Sequence, residues 1–139
     1  MKKLILALTL LAMILTAPAY AGGYNYVSAE KVKNWISSGT PISIVDIQVK
    51  EEFDAHHLTG SIATFSYPVK SDTEKAKLDK AVAELKKNDT QVVVVCPRGK
   101  GGAKRCYDYL ENQGIAEDRL LILTKGMAGW PYKEMVEKK

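Results

Sequence analysis

The stretch "QVVVVC", residues 91–96, constrains this chain more than any other. Val92 to Val95 are all apolar and β-branched, with no alternation between a wet and a dry side. A strand of that kind is buried on both faces, as a central strand is in a parallel sheet covered by helices above and below. The downstream pattern agrees. "AKRCYDYLENQG" sets Cys106 and Leu110 four apart and closes on Gly114, so a helix with a C-terminal stop is predicted. "RLLILT" is then another buried strand.

The rest of the chain keeps this alternation. Ser28 caps a short helix, "AEKVKNWISSG", with Val32, Trp35 and Ile36 on one face and Gly39 as its stop. "PISIVDI" reads as a buried strand ending near Asp46. "KEEFDAHHLTG" reads as a short helix-like segment breaking at Gly60, and "SIATFSYPV" as a brief strand or extended piece ended by Pro68. "SDTEKAKLDKAVAELKKND" reads as one helix, with Leu78, Val82 and Leu85 at helical spacing and charges ordered to suit the helix dipole. "GMAGWPYKEMVEKK" reads as a helical tail with a solvated lysine-rich end, and Trp35 and Trp130 as core aromatics. Strand and helix in alternation predict an α/β fold with a mostly parallel sheet. No repeat, low-complexity tract or linker interrupts it.

The first residues carry an address. Lys2 and Lys3 precede an apolar stretch from Leu4 to Leu15, and Ala19-Tyr20-Ala21 forms a small-x-small site. That is the layout of a secretory signal peptide, with cleavage expected after Ala21. The apolar stretch is short of the roughly 20 residues a membrane span needs. The expected division is a signal segment, 1–21, and one domain, 22–139, exported to the periplasm or beyond. Without residues 1–21, 18 Lys and Arg stand against 16 Asp and Glu, so much of the precursor's +4 charge belongs to the address. No basic stripe interleaves with aromatics, so nucleic acid is not an expected partner. Two cysteines make no disulfide framework, although an oxidising compartment favours pairing where geometry allows.

The loop "CPRGKGGAKRC" carries the chemistry. Ligands of open α/β sheets bind beyond the carboxyl ends of the strands, and Cys96 sits at such an end. Gly99, Gly101 and Gly102 let the backbone curl so that N–H groups converge, next to a helix N-terminus; such a nest suits an anion. The same field favours a thiolate, and Arg98, Lys100, Lys104 and Arg105 add positive potential. Cys96 is therefore the candidate nucleophile. Pro97, Arg98, Gly99, Lys100, Gly101, Gly102 and Ala103 are the candidate substrate-binding residues. The structural alternative is a glycine-rich turn around a buried, inert cysteine.

Three landmarks then resemble the rhodanese family across nearly the whole mature chain. "VDIQVKEEFDAHHLTGSI" offers Asp46, Glu52, Phe53, His57, Leu58 and Gly60 at matching places; "VVVVCPRGKGGA" is the second; "LTKGMAGW" is the third, through Leu123, Gly126 and Trp130. The resemblance implies a three-layer domain with about five mostly parallel strands and helices on both faces. It also implies a sulfurtransferase in which Cys96 takes a sulfane sulfur from thiosulfate or polysulfide as a persulfide. A thiol, cyanide or a protein would accept it, with no metal, no cofactor and a monomeric chain.

The chain also departs from the family pattern. Gly101 stands where many active members have an arginine, Gln48 replaces the arginine after the strand's aspartate, and Lys125 replaces one glycine of the C-terminal pair. Counting back from Leu110 and Gly114 predicts a seven-residue loop ending at Gly102. That length resembles the family's phosphatase and arsenate-reductase branch, but without its closing arginine; Arg98 or Lys100 would have to serve instead. Two other functions stay open: a carrier of sulfur or selenium without turnover, and an oxyanion enzyme. Cys106 reads as a small core residue, with a Cys96–Cys106 disulfide or a resolving thiol as alternatives. His56 and His57, adjacent on the chain, poorly suit one metal; His57 matches the family's structural histidine. Asp46 reads as a hydrogen-bonding residue of the fold.

Overall fold

The computed structural model describes residues 23–139; the expected signal segment and its cleavage site lie outside the described residues. The chain runs β1 (Tyr26–Val27), α1 (Ala29–Ser38), β2 (Ile42–Asp46), α2 (Lys50–Ala55), β3 (His57–Leu58), β4 (Ile62–Ala63), α3 (Asp72–Ala76), α4 (Asp79–Leu85), β5 (Gln91–Val95), α5 (Gly101–Asn112), β6 (Leu120–Leu123) and β7 (Val136–Glu137). Five strands form a parallel sheet in the order β1-β6-β5-β2-β4. β3 and β7 make a separate antiparallel pair.

The four valines place β5 at the centre. Val92 and Val94 enter one core with Val82 and Leu85 of α4 and Leu110 of α5. Val93 and Val95 enter the other, with Val32 of α1, Leu123 and Trp130. All four are fully buried. Burying a side chain of this kind stabilises by about 1.5 to 3 kcal/mol relative to leaving it exposed. A strand that feeds two cores cannot tolerate a polar residue on either side, and this is why the sequence shows no period of two.

Caps fall where the sequence put them. Ser28 accepts a hydrogen bond from the Lys31 N–H at 3.1 Å, and Gly39 ends α1. Two expectations need correction. The long helix over 71–89 is two: α3 contains no buried residue, whereas Leu78 is fully buried. The chain therefore tightens at Lys77 and Leu78, whose N–H groups bond to carbonyls three residues back, and re-enters a helix aimed at the core. The tail is not helical. Gly126, Gly129 and Pro131 break it into short 3-10 turns at 127–129 and 133–135. Val136 and Glu137 then pair with Leu58 and His57 rather than forming a solvated helix end. Finally, β1 completes the sheet from a two-residue stretch too short to show a pattern.

Candidate active site

β5 delivers Cys96 to the carboxyl end of the sheet, and β2 delivers Asp46 beside it, since Asp46 pairs with Val95. The Ile47 N–H also donates to the Val95 carbonyl at 2.9 Å. After Cys96 the irregular loop is short. α5 starts at Gly101, so the loop is Cys96–Lys100 and not the seven-residue arc expected from the spacing. Gly101, Gly102 and Ala103 belong to the first turn of the helix, the latter two buried. The count back from Leu110 failed because helical geometry extends through both glycines.

The three glycines that follow Cys96 answer three different contacts. Gly99 has φ +70°, and a Cβ there would lie 2.8 Å from both the Leu123 carbonyl oxygen and the Lys125 nitrogen. At Gly102 it would lie 2.8 Å from the ring of Tyr67. At Gly101 it would lie 3.0 Å from Nη1 of Arg105. Only the first shapes the loop itself. It brings the Gly99 N–H to 2.8 Å from Cys96 Sγ, a donor aimed at the sulfur.

A turn at residues 124–128 holds the loop from behind. Met127 donates to the Cys96 carbonyl and Ala128 to that of Pro97, each at 2.9 Å. That approach needs Gly126: a Cβ there would sit 2.2 Å from the Cys96 carbonyl oxygen. The landmark "LTKGMAGW" is thus the back wall of the cysteine loop. The Lys125 that replaces a glycine takes φ +64°.

Cys96 is only 2 % exposed, whereas the nucleophile reading anticipates a sulfur open to solvent. Its side chain belongs to the core that also holds Ile47, Val69, Ala103 and Cys106, and the Gly99 N–H closes on the sulfur from the loop. Arg98 and Lys100 point outward and are exposed. Beside the loop lies a cleft of about 220 Å³ lined by Gln48, Glu52, His56, Pro97, Arg98, Met127 and Ala128.

Cys106 is a core residue, fully buried, and both cysteines are free thiols. Burial drives the Cys106 thiol well above its ordinary range, with the neighbouring Cys96 adding to the effect. Such a thiol is inert. Asp46 is fully buried under Gln48, whose backbone N–H and side-chain amide donate to its two carboxylate oxygens at 2.8 and 3.0 Å. The same amide reaches the His56 carbonyl at 3.2 Å, so Gln48 ties β2 to the end of α2. Burial pushes the Asp46 carboxyl up to about 6, against the lowering pull of the two Gln48 donors. His57 is structural: its Nδ1 lies 2.7 Å from the Phe53 carbonyl and its ring stacks on Phe53 at 3.9 Å. Among the described residues no group of three His, Cys, Asp or Glu side chains is placed to hold a metal.

Sequence reasoning overlooked Tyr67, 40 % exposed with its ring against Gly102. A lone tyrosine before a proline gives no periodic signal. It also could not show that Gly101 and Gly102 make room for side chains arriving from elsewhere.

The fold is found in known proteins. Residues 28–133 match the family model described as a rhodanese-like domain. No curated protein matches the chain. Several solved structures superimpose on it. A thiosulfate sulfurtransferase from Pseudomonas aeruginosa aligns at TM-score 0.63 and 22 % identity, over 83 % of this chain and 20 % of that one. An As-Sb reductase from Leishmania major aligns at 0.63 and 15 %, over 84 % and 87 %. A yeast protein tyrosine phosphatase of the rhodanese family aligns at 0.62 and 17 %, over 77 % and 83 %. At such identities the likeness speaks for the fold, and the three proteins are named for different activities. With the family match covering most of its length and a cysteine loop at the carboxyl end of the central strand, the chain belongs to the rhodanese-like family.

Proposed function

We propose that the protein is a sulfurtransferase that carries a sulfane sulfur on Cys96. The observation behind this reading is the Gly99 N–H held 2.8 Å from Cys96 Sγ at the end of the central strand. An amide fixed there stabilises charge on that sulfur, and on a sulfur added to it, without reorganising during the reaction.

With thiosulfate as donor, the Cys96 thiolate attacks the outer sulfur. The S–S bond to the sulfonate sulfur breaks, and sulfite leaves with the bonding pair. The product is a Cys96 persulfide anion. Cyanide, or a thiolate acceptor, then attacks the terminal sulfur and restores the Cys96 thiolate. With cyanide the product is thiocyanate. No external oxidant or reductant enters the cycle. Because Cys96 is 2 % exposed, each transfer requires the loop at 97–100 to yield enough for one sulfur atom to pass. The exposed side chains of Arg98 and Lys100 put that loop at the surface.

Thiocyanate formation from thiosulfate and cyanide tests the reading. Activity lost in Cys96→Ala and kept in Cys106→Ala supports it; no turnover with any sulfane donor rejects it. One alternative draws on the burial of Cys96 and the missing side chain at Gly101: a carrier loaded by a partner, with no turnover of small donors. Protein isolated from cells would then hold a persulfide on Cys96 while the thiosulfate assay stays blank. The Lys2–Ala21 pattern supports export, which fractionation and N-terminal sequencing of the mature chain would test.

A further inference from the structure

Gly101, the first residue of α5, has no side chain, and the space beside it is filled from one turn further along. Nη1 of Arg105 lies 3.0 Å from the position a Gly101 Cβ would take, and the guanidinium carbon 3.6 Å. The fork is held in place. Arg105 Nε donates to the Pro68 carbonyl at 2.9 Å, and among the described residues neither terminal nitrogen has a protein acceptor. Among the described residues no carboxylate lies within ion-pair distance of it. The side chain also borders a cavity of about 270 Å³, shared with Lys70, Lys75, Asn112 and a single acid, Asp108. Asp108 already accepts a hydrogen bond from the Tyr24 hydroxyl at 2.9 Å. Three cations therefore border one cavity that holds a single acid.

An arginine with its Nε anchored and its outer N–H groups free is preorganised for a planar or tetrahedral anion. It also stands beside the first residue after the cysteine loop. Gly101 is two residues beyond Gly99, whose N–H touches Cys96 Sγ, so their Cα atoms are at most about 7.6 Å apart. Arg98 and Lys100, the substitutes suggested by the sequence, are exposed on flexible stems and lack such an anchor.

We infer that Arg105 is the positioning residue for the anionic end of the sulfur donor. It selects donors that bear a negative oxyanion group, such as thiosulfate or an organic thiosulfonate, over neutral trisulfides. The inference rests on the sulfurtransferase reading but is tested apart from it, by comparing alkylation of Cys96 with iodoacetate, an anion, and iodoacetamide, its neutral analogue. Peptide mass mapping locates the adduct. Taking a separation of about 10 Å and an effective dielectric of about 20 to 80, Coulomb's law gives a preference of about 2- to 20-fold.

Arg105→Gln is expected to lower the iodoacetate-to-iodoacetamide rate ratio by that factor, while Lys104→Gln, on the same helix, lowers it less. In the sulfur-transfer assay Arg105→Gln should raise KM for thiosulfate and leave kinetics with a neutral trisulfide unchanged. Arg105→Lys keeps the charge and loses the fork. At unchanged melting temperature, it should weaken protection of Cys96 by inorganic sulfate, measured at fixed ionic strength. An unchanged ratio in Arg105→Gln, an equal drop in Lys104→Gln, or full sulfate protection in Arg105→Lys overturns the assignment. Failure of wild-type Cys96 to react with either reagent is a different result, which overturns the sulfur-transfer reading along with it.

Discussion

Replacing Gly126 by alanine strikes the wall behind the cysteine loop. The residue sits at φ +58°, ψ −157°, a region that essentially only glycine occupies and that costs a side chain about 1 to 3 kcal/mol. The added methyl would also lie 2.2 Å from the Cys96 carbonyl oxygen, 2.7 Å from the Arg98 nitrogen and 2.8 Å from the Gly99 nitrogen. These neighbours are backbone and cannot swing aside, so overpacking adds about 1 to 3 kcal/mol more. The expected total is about 2 to 6 kcal/mol, comparable with the whole stability of a small domain. Relief can come only by moving the loop off the turn, which breaks the bonds from Met127 and Ala128 and shifts the Gly99 N–H away from the sulfur. Urea unfolding, paired with the thiocyanate assay, measures both effects. Gly60→Ala is the control: φ is +79° there too, but its Cβ meets nothing within 4 Å, so it carries only the left-handed penalty of about 1 to 2 kcal/mol. If Gly126→Ala proves as stable as Gly60→Ala with activity intact, the proposed wall is wrong.

Other consequences follow from the buried groups. Asp46 ionises at about 6 in the folded protein, above its ordinary carboxyl value. Between about pH 4 and 6 the unfolded chain therefore ionises first, and stability falls as pH rises through that window. Two units correspond to about 3 kcal/mol, so Asp46→Asn should flatten the loss between pH 4 and pH 7 seen by urea unfolding; an identical slope in the variant removes Asp46 as its source. Arg119 donates to the carbonyls of Thr90 and Leu85 and to Asn88 Oδ1, closing the end of α4. Arg119→Ala should cost about 2 to 4 kcal/mol, since carbonyls lose charged donors, with thiosulfate KM unchanged; a shift below 0.5 kcal/mol contradicts this role. Cys106→Ser places a hydroxyl in an apolar site and should destabilise by about 1 to 3 kcal/mol, more than Cys106→Ala. Equal melting temperatures for the two would contradict the packing described.

The legible parts of this chain were those with a periodic or chemical signature. Four consecutive valines announced a strand between two cores, Ser28 and Gly39 announced α1, and a cysteine after the apolar strand announced the loop. What stayed hidden depended on contacts distant in sequence. β1 and β7 are two-residue strands whose identity lies in their partners, Ile122–Leu123 and His57–Leu58. The break at Lys77–Leu78 reflects where the core lies rather than any helix-breaking residue. The loop's length was misjudged because Gly101 and Gly102 look like turn residues. Both are helical; the ring of Tyr67 occupies the side-chain space at Gly102, and the tip of Arg105 lies against Gly101. The burial of Cys96 follows from a core it shares with residues as distant in sequence as Ile47 and Val69.

Intact-mass analysis of the mature protein after incubation with thiosulfate addresses the central claim most directly. The account predicts a gain of one sulfur atom, removed by reductant, mapped to the peptide containing Cys96 and absent in Cys96→Ala. An unchanged mass, or added sulfur that persists in Cys96→Ala, would contradict it.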